Sequence, residues 1–118
     1  MMEVILTTQI EDMDGIKFVR LAGPLDSVTY DNFKALLDPL VNEKGSRIVL
    51  GCESLTYVNS KGLALLGRYQ RVSAQMVGFF GIAGLNKRII RTIELLGMRK
   101  LVKLYDTSRE ALEDARRV

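Results

Sequence analysis

The residues best placed to do chemistry in this chain are Asn59, Ser60 and Lys61. They follow the short apolar run 55–58 and precede a helix-forming run that opens Gly62-Leu63-Ala64-Leu65-Leu66. Asn and Ser are favoured at helix starts because their side-chain oxygens accept hydrogen bonds from first-turn amides that lack a partner. The same helix end carries about half a positive charge and attracts anions. Ser60 is therefore a hydroxyl at the mouth of a helix, directly after a strand-like segment. Either it only caps that helix or it is a site of modification; position alone leaves both open. A phosphate on Ser60 would add about −1.5 to −2 charges at pH 7. The helix start and Lys61 would both accommodate that charge, so its effect would fall on a partner rather than on the fold.

Other reactive groups are scarce. The chain has no histidine and a single cysteine, Cys52. A Ser-His-Asp or Cys-His arrangement cannot be assembled, nor can the usual transition-metal ligand sets. The commonest general base is missing, and no G-x-x-x-x-G-K-[ST] phosphate loop is present. The chain thus reads as a non-enzyme with no metal site and no cofactor. Cys52 is expected to be a small buried hydrophobe near a strand end, and a lone thiol suits a reducing compartment.

The net charge is modest. There are 17 basic and 14 acidic residues, a net +3. Lys87, Arg88, Arg91, Arg99, Lys100 and Lys103 gather late, without the interleaved aromatics of a nucleic-acid surface. They read as a solvated helix face and loop, with no direct nucleic-acid contact. No apolar run is long enough to span a bilayer, and the start lacks a leader pattern, so no membrane insertion and a cytoplasmic location are expected.

The elements that must position Ser60 can be read in order. The 118 residues, 47% hydrophobic, fit one domain over 1–118. A first strand is expected over 4–10, a turn at 11–15 with Asp14-Gly15 as the hairpin signal, and a second strand over 16–21. A loop follows, in which Asp26 or Ser27 can cap a helix. That helix carries the stripe Phe33, Leu36, Leu37, Leu40 and Val41, with Pro39 predicting a kink or early end and Gly45 a left-handed stop. A short strand at 47–50, the segment 51–54 and the 55–58 run lead to Ser60. The helix from Ser60 is expected to reach about 72, with Leu63, Ala64, Leu66 and Gly67 inward. Next come a strand over 76–82, a helix capped by Asn86 with apolar positions Ile89, Ile90, Ile93 and Leu96, and a stop at Gly97. A strand at 101–104 and a helix opened by the capping box Thr107-Ser108-Arg109-Glu110 end the chain, with Ala111, Leu112 and Ala115 inward. Alternating strands and helices after a hairpin predict an α/β domain. Its sheet should be mixed but mainly parallel, with about five strands and four to five helices. Function in such sheets gathers at the carboxyl ends of strands, where Ser60 falls.

Several of these segments resemble the STAS domains, and among them the bacterial anti-sigma factor antagonists. Arg20-Leu21-Ala22-Gly23-Pro24-Leu25-Asp26 is similar to the family's R-L-x-G-E-L-D, and Tyr57-Val58-Asn59-Ser60-Lys61-Gly62-Leu63 to its F-[MI]-D-S-[SAT]-G-L. The resemblance covers nearly the whole chain. It implies a STAS-like fold and a protein that binds an anti-sigma factor, itself a serine kinase, in a partner switch controlling sigma-factor-dependent transcription. The kinase would phosphorylate Ser60, and a PP2C-type phosphatase would reverse the modification. The partner surface implied by the motif is Asp26, Asn59, Ser60, Lys61, Gly62 and Leu63. Asn59, Lys61 and Pro24 depart from the family's usual acid, small residue and acid. The segment between Gly62 and the next strand is about one residue short. The alternative implied by the same resemblance is an accessory subunit of an ABC-type lipid transport assembly, bound constitutively to its ATPase. Of the neighbouring residues, Asn59 reads as a cap and Tyr57 as core. Leu63 reads as core or a rim contact, and Gly62 as either a tight helix start or a point of close partner approach.

Overall fold

Asp14 and Gly15 both take positive φ, 57° and 84°, the backbone a two-residue hairpin turn requires. In a computed structural model that describes residues 5–118, this turn joins β1 (Thr7–Met13) to β2 (Ile16–Leu25). The expected strand start at residue 4 lies outside the described residues. Within them, β1 begins at Thr7, after Ile5 and Leu6, and runs three residues further than expected, because Glu11, Asp12 and Met13 pair with Phe18, Lys17 and Ile16. Beyond the hairpin come α1 (Tyr30–Val41), β3 (Arg47–Val58), α2 (Ser60–Gln75), β4 (Phe79–Ala83), α3 (Lys87–Leu95), β5 (Leu104–Tyr105) and α4 (Ser108–Arg116).

The sheet order is β1-β2-β3-β4-β5, with only the β1–β2 pair antiparallel. The expected mixed, mainly parallel α/β sheet of five strands is therefore present, with four helices among the described residues. Helices α1, α2 and α3 pack on one face over Val19, Leu50, Phe80 and Ile82. Helix α4 alone covers the other, over Ile16, Phe18, Val49 and Phe79. Neighbouring strand residues thus feed opposite cores, as a pleat of period two demands.

Several element bounds differ from expectation for identifiable reasons. β3 is one strand, not two. It uses twelve residues against the ten of β2, and the pairing slips between Arg20 and Ala22 and again between Gly23 and Pro24. Each slip adds a residue to β3, which breaks the alternation a sequence reader relies on. β4 starts at Phe79, not residue 76, because Met76 closes α2 and Val77 takes φ 56°. Gly78 then lets the chain pass: a Cβ there would lie 2.4 Å from the Ser46 carbonyl oxygen. Helix α1 continues two residues past Pro39 before Asn42 caps it, and Gly45 is left-handed three residues beyond that cap. β5 is Leu104–Tyr105 rather than 101–104. Ala64 is exposed, not inward; α2 instead buries Leu65 and Tyr69. Leu96 is exposed because α3 ends before it can turn onto the sheet.

Helices α1 and α2 are joined by a polar contact. The Tyr69 hydroxyl donates to Asp38 Oδ1 at 2.6 Å and Lys34 Nζ to Asp38 Oδ2 at 2.6 Å. The Lys34 bond first, and the Tyr69 bond second, hold the Asp38 carboxyl below the usual carboxylate range. Burial, reinforced by Asp38, pushes the Tyr69 phenol up. A carboxyl depressed in the folded state stabilises fully above its unfolded value of about 3.9 and loses that contribution as pH falls through the folded value. Asp38→Asn keeps an acceptor for Tyr69 and removes the titration. Its denaturation midpoint should fall less steeply than the parent's below about pH 4. Asp12, likewise lowered by Lys17, titrates in both proteins, so the difference between them isolates Asp38.

Candidate functional site at the carboxyl ends of β2 and β3

β2 and β3 end side by side, Leu25 opposite Val58. The Asn59 amide donates to the Leu25 carbonyl at 3.0 Å, which ties the two exits together. Each exit is then opened by one side chain. Asp26 Oδ1 accepts from the amides of Val28 and Thr29 at 3.0 and 3.1 Å, and the Asp26 amide donates to the Thr29 hydroxyl oxygen at 3.0 Å. The Thr29 hydroxyl in turn donates to the Pro24 carbonyl at 2.9 Å. This turn delivers the chain into α1, whose first amide, that of Tyr30, donates to the Asp26 carbonyl at 2.9 Å. The cap position of α1 is Thr29, whose side chain makes no capping bond, so neither Asp26 nor Ser27 caps the helix as expected; Asp26 instead holds the turn that precedes it.

The second exit is opened by Asn59. Its Oδ1 accepts from the Gly62 amide at 2.8 Å, and Leu63 N–H donates to its carbonyl at 2.9 Å. Asn59 is the cap of α2, as read from the sequence, and that role is therefore not Ser60's. Ser60 is the first helical residue and is exposed. Its hydroxyl stands at the positive end of a sixteen-residue helix, and the first-turn amide of Gly62 is already bonded by its neighbour.

The other motif residues divide between surface and core. Lys61 is exposed and its Nζ lies 4.3 Å from the centre of the Tyr30 ring. This places a cation beside the Ser60 helix start and links the first turns of α1 and α2. Leu63 is 1% exposed and belongs to the core beneath the site, so its side chain does not form part of the surface. Gly62 is buried as well: a Cβ there would meet Val58 Cγ1 at 2.9 Å and Leu25 at 3.1 Å. Its lack of a side chain serves the tight seating of α2 on the ends of β2 and β3. Of the six residues grouped by sequence, Asp26, Asn59, Ser60 and Lys61 reach the surface at least in part, and Gly62 and Leu63 support them from below.

The structure adds two residues to this surface. Tyr57, read as core, is 50% exposed, and Val28 is more exposed still. Thr56 is the extra residue of the second β3 slip: Gly23 pairs with Leu55 and Pro24 with Tyr57. That slip turns Tyr57 outward beside Pro24. The only sequence sign was the strand's length relative to β2, which a propensity reading does not weigh.

Cys52 behaves as expected of a buried thiol. It is 1% exposed, and burial first and the Glu53 charge second push it well above the ordinary thiol range. A thiol that stays protonated is neither nucleophile nor metal ligand at neutral pH. In the native protein its reaction with a disulfide reagent should be at least about a hundredfold slower than in denaturant, checked by the rate of thiol release. Among the described residues no cluster of three His, Cys, Asp or Glu side chains could hold a metal ion. No helix among them is long and apolar enough to cross a membrane.

The comparisons agree with this architecture. The STAS domain family model matches residues 7–111, and the chain belongs to that family. The anti-sigma F factor antagonist of Paenibacillus polymyxa is 30% identical over 111 residues, covering 92% of this chain and 94% of that protein. The crystal structure of an anti-sigma factor antagonist from Mycobacterium paratuberculosis superposes with a TM-score of 0.83 at 28% identity, covering 94% of each chain. The anti-sigma factor antagonist SpoIIAA in its unphosphorylated form shares the fold, with a TM-score of 0.74 at 18% identity over 95% of this chain and 98% of its own.

Proposed function

We propose that this protein is an anti-sigma factor antagonist that works by binding rather than catalysis, with Ser60 as the removable gate of its docking surface. In the unmodified state the protein binds an anti-sigma factor serine kinase and so frees a sigma factor. Phosphorylation of Ser60 by that kinase ends the binding, and a PP2C-type phosphatase restores it. The exchange takes place in the cytoplasm. The observation that carries this reading is the exposed Ser60 hydroxyl at the start of α2, with the capping duty taken by Asn59. The relatives' names support the regulatory class. The fold neighbour SpoIIAA has been described both without and with phosphate.

The chemistry of the site suits a substrate of phosphorylation better than an enzyme. Ser60 has no histidine to activate it, so a base and a phosphoryl donor must come from the partner. The added charge meets a helix start and Lys61, and it leaves α2 intact. At the interface the same charge imposes desolvation and repulsion against an acidic partner surface.

Mass spectrometry of the protein from cells, with and without stress, should find phosphate on Ser60 in part of the population. Co-purification should bring down an anti-sigma kinase. An unmodified Ser60 throughout, with Ser60→Ala and Ser60→Asp behaving alike, would overturn the switch. Recovery of an ABC ATPase in place of the kinase would assign the chain to a transport assembly instead.

A further inference from the structure

We propose that the end of α3 and the loop after it form a docking surface for an anionic lipid membrane, independent of Ser60. Three leucines stand in solvent: Leu95 is 77% exposed, Leu96 52% and Leu101 60%. They lie within seven residues of chain that are folded into one compact turn. Gly97 at φ 70° reverses the chain, Met98 N–H donates to the Ile93 carbonyl at 2.9 Å, and Leu101 N–H to the Met98 carbonyl at 2.9 Å. Met98 anchors the turn by reaching towards Gly67 of α2, where an added Cβ would meet its Cε at 3.2 Å. The leucines are thus displayed by a bonded loop.

The charge around them is predominantly positive. Arg88, Arg91, Arg99 and Lys100 are all exposed. Arg88, Arg91 and Leu95 recur at helical spacing on the side of α3 opposite its buried Ile89 and Ile93. Five ion pairs form among the described residues, and none of them uses any of these four cations. From residue 87 to 103 the chain carries six basic residues and the single acid Glu94.

Aliphatic side chains ringed by unpaired cations match the boundary of an anionic bilayer, where leucines enter the headgroup layer and long cationic side chains reach phosphate. A protein interface of this size would be expected to centre on aromatic residues and to be poor in lysine. This segment has no aromatic residue. The depression beside it, at Gln70 and Lys100 to Lys103, is wide open rather than a socket for a partner's side chain.

Sedimentation with vesicles tests the assignment. The whole protein should co-sediment with phosphatidylcholine vesicles containing phosphatidylglycerol, not with phosphatidylcholine alone, and added salt should release it. Arg99→Ala with Lys100→Ala should weaken the association roughly thirtyfold, since each cation near an anionic surface is worth about fivefold. Leu95→Ser with Leu101→Ser should weaken it too, with the melting temperature held, because both side chains are already in water. Ser60→Asp should leave it unchanged. Absence of binding to anionic vesicles at low salt, equal binding to both vesicle types, or full binding by either double variant would overturn the proposal. So would capture of this surface by an acidic protein in purified form while vesicles stay unbound.

Discussion

Phe80→Ala is expected to destabilise the protein by about 3–5 kcal/mol. Phe80 is fully buried as the second residue of β4, paired across the sheet with Ile48. Its ring meets Tyr69 edge-on at 5.9 Å, and Tyr69 in turn tilts against Phe33 at 6.4 Å. One residue thus touches the column by which α1, α2 and the sheet are held together. Truncation removes the apolar contact and leaves a cavity under two helices whose positions are fixed by their own strand exits, so the walls cannot close on it. Natural domains have only about 5–15 kcal/mol in total. The loss should appear as a fall in melting temperature of roughly 10–20 °C. A fall of only a degree or two would mean that α2 moves freely onto the sheet. In that case the rigid seating of Ser60 argued above would be wrong.

That column was partly legible in the sequence. Of the stripe Phe33, Leu36, Leu37, Leu40 and Val41, Phe33, Leu37 and Val41 are fully buried, while Leu36 and Leu40 pack at the core's margin and are only partly buried. Asn59, Asn86 and Thr107 were readable as helix starts because capping is local chemistry, and each accepts an amide hydrogen bond as read: from Gly62, Ile89 and Glu110. What could not be read depended on partners distant in sequence. The unity of β3 is set by register against β2, and its two extra residues look like a turn when β3 is seen alone. The buried arc of α2 is wider than one stripe because α1 and the sheet both press on it, which brings in Leu65 and Tyr69. Leu96 and Leu101 have the composition of core but lie where α3 has ended and β5 has not begun. At the site, the Asn59-Ser60-Lys61 sequence announced a helix mouth. The outward Tyr57 and the Lys61–Tyr30 contact required the slip in β3 and the adjacency of α1 and α2.

Ser60→Asp is expected to weaken binding of the anti-sigma partner roughly a hundredfold, about 3 kcal/mol, with Ser60→Ala near the parent. The two effects can be separated because the helix and the interface respond to charge in opposite ways. A carboxylate in the first turn of α2 meets the helix dipole favourably by about 0.3–1 kcal/mol, so the variant's melting temperature should hold or rise slightly. Asn59 still caps, since its bond to the Gly62 amide does not involve Ser60. Lys61 stands over Tyr30 rather than paired with an acid, so it can only screen the new charge from nearby, and screening at an exposed position is modest. At the interface the carboxylate must shed water without a compensating partner, a cost that Ala does not incur. Titration calorimetry with the purified partner, run beside thermal melts, checks both halves. Equal affinities for the Asp and Ala variants would remove the gate. A lowered melting temperature in the Asp variant would show that the charge acts on the fold and not on the partner.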